Sequence, residues 1–216
     1  MTTSSSARFR RTAQDKRQII LEAATHVFAS KGYHGTRISD IAREAGIAYG
    51  LVYHYFKNKE EILNSIFDDQ WSVFLEMVKN IAAAEGETED KLLSVARLIL
   101  NAYQTRSDWI KVLVFEIQRS QRFAQPERLR VVAELFRVVG RMIRDGQERG
   151  SLRQDIDPDV ACVVFMGGLD IVVTSSVLPR TVKPESNPDE GLHYIKVAQA
   201  VVDIFLGGMA SKGRET

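Results

Sequence analysis

The sequence predicts an all-α protein in which a small N-terminal three-helix domain is joined to a larger helical body. Two observations carry this. Apolar residues recur at three- and four-residue spacing in segment after segment from Asp15 onward, the period of an amphipathic helix. Glycines and prolines punctuate those segments at their ends, and no strand-type alternation or internal repeat interrupts them. The segments sort into a basic arm over residues 1–12, a three-helix domain over 13–60 and a body over 61–216.

The arm is small, polar and basic, and is expected to be disordered. From Asp15 the first helix places Ile19, Ile20, Ala23, Ala24, Val27 and Phe28 on one side and ends at Gly32, where KGYHGT reads as a turn. A short second helix over 38–45 follows, with Thr36 as its expected N-cap. Gly46 breaks it, and a third helix runs over 48–55. Asn58 caps a long fourth helix, residues 59–83, whose stripe includes Ile62, Leu63, Ile66, Phe67 and Val78. Five further helices are expected near 88–105, 108–122, 127–149, 158–178 and 190–210. Gly150 suits a C-terminal cap, and Asp157 with Pro158 makes a strong helix start. Three prolines mark one loop over 179–189.

Composition narrows the function. The chain has 216 residues and 44% hydrophobic content, enough for a real core, and no unbroken run of about 18 apolar residues that would predict a membrane helix. Its single cysteine, Cys162, lies in an apolar run and fits a buried thiol in a reducing, cytoplasmic setting. The net charge of +1 hides an asymmetry: residues 1–60 hold ten Lys/Arg against five Asp/Glu, and the remainder nineteen against twenty-three. Only the first part is therefore suited to a polyanion. There is no phosphate-cradling glycine loop, no H-E-x-x-H and no nucleophile elbow. His26, His34, His54 and His193 lack metal-ligand spacing. We expect no catalysis, no metal and no cofactor.

The second and third helices, joined through Ala42, Ala45 and Gly46, make a helix-turn-helix unit. In the third, Ile47, Leu51, Val52 and Phe56 can face inward, leaving Ala48, Tyr49, Gly50, Tyr53 and His54 outside. Ala48 and Gly50 carry little side chain, so the helix could sink toward base edges in a major groove. Tyrosine rings can lie on thymine methyls while their hydroxyls reach phosphate oxygens. Lys59, at the start of the long helix, suits a phosphate. The alternative is that these aromatics pack a helical interaction module that never meets DNA. Arg8, Arg10 and Arg11 could follow the phosphates or enter a minor groove; a solubilising tail is the other reading.

At these residues the sequence resembles the TetR family of bacterial transcriptional regulators. VFASKGYHGTRISDIAREAGIAYGLVYHYFKNKEEIL follows the family's N-terminal pattern through the Gly-Tyr turn and the D-I-A, A-G, Y-x-x-F and K-x-E elements. The resemblance implies a two-domain, nine-helix, Ω-shaped homodimer that releases palindromic operator DNA on binding a small ligand. It also implies phosphate contacts from Thr36, Tyr55 and Lys59, and base or groove contacts from Ala48, Tyr49, Gly50, Tyr53 and His54. Tyr49 departs from the pattern, occupying a slot often filled by Lys, Arg or Gln, so the operator sequence cannot be carried over.

In the body, WIKVLVFEI (109–117) is apolar on nearly every side and should be buried all round. It can line a cavity for an apolar ligand or simply fill a core; the family resemblance favours the cavity. Gly167 and Gly168 in one helix, and Gly207 and Gly208 in another, allow close helix approach, and the family places its dimer bundle there. Gly167, Gly168, Val172, Val201 and Phe205 are the expected interface residues. Asp170 is the odd acid in that segment; it could be exposed, paired at the dimer seam, or a polar group of the pocket, and the first two are favoured. With FEIQRSQRF, the body is similar to the family's fatty-acid-degradation repressors, which respond to long-chain acyl-CoA. Trp109, Leu113 and Phe136 would then line an acyl site, with Arg119 and Arg122 at its mouth for the coenzyme A phosphates. For Arg119, Arg122, Arg128 and Arg130 a solvated helix face is the competing reading.

Overall fold

The computed structural model describes the backbone over residues 3–114, 126–177 and 190–209, and side chains over 15–114, 129–175 and 194–209. Among the described residues the elements are nine α-helices: α1 (Thr3–Gly35), α2 (Ile38–Glu44), α3 (Tyr49–Tyr55), α4 (Lys59–Ala83), α5 (Thr88–Thr105), α6 (Ser107–Val112), α7 (Pro126–Glu148), α8 (Pro158–Val177) and α9 (Glu190–Met209). They form two compact units, parted between Ser72 and Val73 within α4 and again between Ser107 and Asp108.

The first unit holds α1, α2, α3, the first part of α4, and the described chain from Asp108. Its α1 starts at Thr3, so helix covers residues where the sequence reading expects a disordered arm. Residues 3–31 contain no glycine or proline to stop it. The side chains of Arg8, Arg10 and Arg11 lie outside the described residues. The helix breaks at Gly32 (φ 71°, ψ 162°), a left-handed conformation that glycine adopts without a Cβ penalty. Ile20, Ala24, Phe28, Ile41, Val52, Phe56, Ile62, Ile66 and Phe67 are all buried in this unit. Arg17 binds Asp69 at 2.7 Å, and His26 binds Asp108 at 2.8 Å.

In the second unit α5 packs on α9 and α7 on α8, around Leu92, Val95, Leu100, Val139, Ile143, Leu152, Phe165, Leu169 and Val202. The end of α7 is fixed by its own chemistry. Gly150 takes φ 79°, and the amides of Ser151 and Leu152 return to the Gly146 carbonyl. Asp157 then caps α8, its Oδ1 accepting from the amides of Asp159 and Val160 at 2.8 and 3.1 Å. Cys162 is buried and its thiol donates to the Phe136 carbonyl. Burial, with Asp159 nearby, pushes that thiol up to about 11.

One helix differs from the sequence reading. Pro158–Ser175 is long and apolar enough to cross a membrane by length and composition, although no unbroken apolar run exists there. Asp159 and Asp170 interrupt the run without outweighing its valines, and both are exposed.

Candidate functional site

The first unit presents α3 on a corner that its sequence dictates. Ala45 bonds back to Ile41 at 2.9 Å and Ile47 to Ala42 at 3.0 Å, while Gly46 (φ 64°) reverses the chain between them. No atom crowds the Gly46 Cβ direction, so glycine is needed there for its backbone alone. Ile41, Ala42, Val52 and Phe56 turn inward and are buried, with Ile47 and Leu51 half-buried. That choice of face leaves Ala48, Tyr49, Gly50, Tyr53 and His54 exposed. A Cβ added to Gly50 would meet open space, so this position offers bare backbone to whatever docks.

The two exposed tyrosines are ordered by each other. They stand one helical turn apart, ring centroids 5.3 Å apart in an edge-to-face arrangement, hydroxyls 3.2 Å apart. One hydroxyl donates to the other, whose own O–H is left to donate outward. The hydrogen bond with Tyr49 raises the Tyr53 phenol above its ordinary value. His54 packs its ring edge on Tyr55, which is half-buried.

Beside this pair runs an open surface groove of about 470 Å³, lined by Thr36, Arg37, Ile38, Ser39, Tyr49, Tyr53, Lys57, Asn58 and Lys59. Two chain corners and the face of α3 build it. At the first, the N-cap of α2 is Arg37 and not Thr36. Thr36 is 2% exposed, and its hydroxyl donates to the Gly32 carbonyl at 2.7 Å. That back-bond, four residues toward the N-terminus, has Thr36 tie the end of α1 instead of starting α2. Asp40 does the capping, accepting from the Arg37 amide at 2.9 Å. That amide, followed by Lys31 at 3.0 Å and Arg43 at 2.6 Å, holds the Asp40 carboxyl below its ordinary range.

At the α4 corner Asn58 accepts from the Glu61 amide at 2.8 Å, and Glu61 accepts from the Lys57 amide at 2.6 Å. The Lys59 ammonium donates to the carbonyls of Tyr33 and Thr36 and sits 4.3 Å over the Tyr33 ring. It neutralises the negative end of α1 and locks α4 onto it. Lys59 thus holds the groove's wall, while Arg37 and Lys57 put exposed cations on its rim. The expected site set omits these two cations. Their signals were adjacency to Thr36 and to Lys59, the positions that the motif itself highlights.

Of the expected ligand residues, Trp109 is buried and Leu113 half-buried in the first unit, and Phe136 is half-buried in the second. Arg119 and Arg122 lie outside the described residues, and so does the side chain of Arg128; Arg130 is exposed. Of the expected dimer residues, Gly167 is exposed with open space at its Cβ position, whereas a Cβ on Gly168 would lie 3.8 Å from Val201 of its own chain. Val172 and Val201 are half-buried, and Phe205 is buried against Phe165 with ring centroids 5.1 Å apart. The apolar residues that stand outward are others: Val160, Val163, Val164 and Ile171 on α8, and Ile195 and Ile204 on α9, Ile204 reaching 78% exposure.

These features have known counterparts. The model of bacterial regulatory proteins of the tetR family matches residues 20–66, and that of the YsiA-like protein C-terminal region matches residues 67–183. The fatty acid metabolism regulator protein of Bacillus subtilis is 24% identical over 193 residues, covering 89% of this chain and 95% of its own. The structure of the fatty acid degradation regulator FadR from Bacillus halodurans matches with a TM-score of 0.77 at 26% identity, covering 91% of this chain and 97% of that one. That of FadR from Bacillus subtilis in complex with stearoyl-CoA matches with a TM-score of 0.75 at 24% identity, over 88% and 98%. Groove, corner and helical body are those of a bacterial regulator, and the chain belongs to the TetR family.

Proposed function

We propose that this chain is a homodimeric, cytoplasmic repressor that binds a palindromic operator through α3 and lets go when a long-chain acyl-CoA binds its body. The carrying observation is the ordered, exposed Tyr49–Tyr53 pair beside a groove rimmed by Arg37 and Lys57. Aromatic rings can read groove edges, hydroxyls and ammonium groups can hold phosphates, and bare Gly50 permits close approach. In this reading residues 13–60 meet DNA, residues 61–216 hold ligand and dimer contacts, and the arm of residues 1–12 follows the backbone. Thr36 and Lys59 act from behind, by fixing the corner that Ala48, Tyr49, Gly50, Tyr53, His54 and Tyr55 need.

Dimer formation falls to α8 and α9. Val160, Val163, Val164, Gly167 and Ile171 recur at three- and four-residue spacing on one outward face, joined by Ile204 from α9. A patch of branched aliphatics this extensive calls for a partner surface, and a two-fold copy of itself also supplies the second half-site reader. The acidic residues in α8 and its packing against α9 favour this over a membrane. The acyl-CoA class is supported by the fatty acid regulators among the relatives. Arg119 and Arg122 are the proposed phosphate ligands.

Selection of bound fragments from randomised duplex, repeated with stearoyl-CoA present, tests the reading. A palindromic consensus that is lost with the ligand supports it. No binding to any duplex at low salt would leave the helical interaction module in its place.

A further inference from the structure

The described chain from Ser107 to Val114 carries an unusual pair of neighbours. Trp109 is 94% buried by its 6% exposure, yet its indole Nε1–H finds no acceptor among the described residues. A buried donor left unpaired is costly, and such groups stand out in native proteins. Beside it, Asp108 binds His26 of α1 through Oδ2 at 2.8 Å and Lys111 through Oδ1 at 3.4 Å. Just past Trp109, at Leu113 and Val114, the helix widens to a π turn, a distortion that concentrates at functional sites. One residue of this six-residue helix therefore lacks an acceptor among the described residues, and its neighbour grips the helix that ends at the groove.

We infer that the Trp109 indole N–H is the donor to the effector's acyl carbonyl, and that Asp108 passes ligand binding to α1 through His26. This rests on the acyl-CoA reading above and adds the sensing residue and the route. An acyl thioester offers a carbonyl acceptor on an otherwise apolar chain, the complement of one N–H in an apolar wall. Satisfying that N–H draws α6 toward the ligand. Asp108 must follow, and the only long-range contact it has among those described is to α1, whose far end holds Tyr33, Thr36 and the groove. The ligand thus acts by preferring one position of α6, as linkage requires.

The test compares stearoyl-CoA with octadecyl-CoA, the thioether that lacks only the carbonyl oxygen. Calorimetry on the full chain should find the thioester binding about tenfold tighter than the thioether to the wild type. Trp109→Phe should bind both alike and at the weaker level. A thioester advantage of equal size in both proteins, or none in the wild type, overturns the donor role; the wild-type comparison decides this even if the variant misfolds. His26→Ala, at an exposed helix position, should bind stearoyl-CoA as the wild type does but need severalfold more of it to release operator. Release at wild-type concentrations overturns the route. Failure of the wild type to bind stearoyl-CoA at all would overturn the acyl-CoA reading, and this inference with it.

Discussion

Two surfaces of this molecule are exposed and unsaturated in opposite ways. On α3 the outward residues are aromatic with polar tips, and Tyr49 and Tyr53 bind each other through their hydroxyls while about half exposed. On α8 and α9 branched aliphatics stand outward, Val163, Val164, Ile171 and Ile204, with the exposed acids Asp159, Asp170 and Asp203 on the same helices. A tyrosine pair that keeps a hydroxyl to offer suits a wet, polar partner. An aliphatic stripe gains only by excluding water against another apolar surface. On the proposed reading one of these faces is for nucleic acid and the other for a second copy of the chain, and each should fail in its own way.

The largest effect should come from a charge in the aliphatic face. Ile204→Asp would bury an unpaired carboxylate in the proposed dimer, a change of several kcal/mol that dissociates it at micromolar protein (about 100-fold or more). Sedimentation should report monomers, and operator affinity should collapse with them because half-sites are then bound singly. An Ile204→Asp protein that stays dimeric would move the interface elsewhere.

Next comes the aromatic face. Tyr49→Phe and Tyr53→Phe keep the rings and remove the hydroxyls, so each should weaken operator binding by roughly tenfold or less and leave the dimer intact. Lys57→Ala should weaken all sequences alike and lower the salt slope by about 1. If the Phe variants bound as well as the wild type, the hydroxyl pair would be a packing detail.

How far these faces could be read from sequence differs, for a physical reason. In α3 the helix alternates buried Val52 and Phe56 with polar-tipped neighbours, so period alone assigned inside and outside. Helix ends were legible wherever one residue type does the work, as at Gly46, Asn58, Gly150 and Asp157. In α8 almost every position is apolar, and periodicity cannot choose which side packs inward. The glycines drew attention to α8 and α9, where Phe205 packs on Phe165 and Gly168 lies against Val201 of the same chain. Thr36 was misplaced as an N-cap for a related reason: a threonine after a glycine break can reach back as easily as forward. That the Trp109 indole finds no acceptor among the described residues has no sequence signal at all, since it depends on what three-dimensional packing leaves out.

A core position sharpens the comparison by touching neither face. A Cβ on Gly146 would come within 2.9 Å of both Thr88 Oγ1 and Leu152 Cδ1. Leu152 is itself fully buried and has little room to turn its methyl aside. Nor can Thr88 move, because it is fully buried and its Oγ1 accepts from Arg149 at 2.7 Å. Gly146→Ala should therefore cost about 1–3 kcal/mol by overpacking and lower Tm by several degrees. Operator affinity and dimerisation below the new Tm should not change.

The smallest effect expected is a pH dependence at His26. The hydrogen bond to Asp108, then its charge, raises the His26 pKa above its ordinary 6.5, with Glu44 adding to the shift and Lys111 opposing it. A histidine whose folded pKa is raised contributes stability that is fully present below the unfolded value and is lost as pH rises through the folded one. The wild type should therefore exceed His26→Ala in Tm at pH 5.5, and the gap should close by pH 8.5. The His26 ring is more than half exposed, so solvent and salt screen the pair and the gap should shrink further in high salt. A gap that instead widened toward alkaline pH would mean that neutral His26 is the favoured form, and that Asp108 holds α1 by some means other than charge.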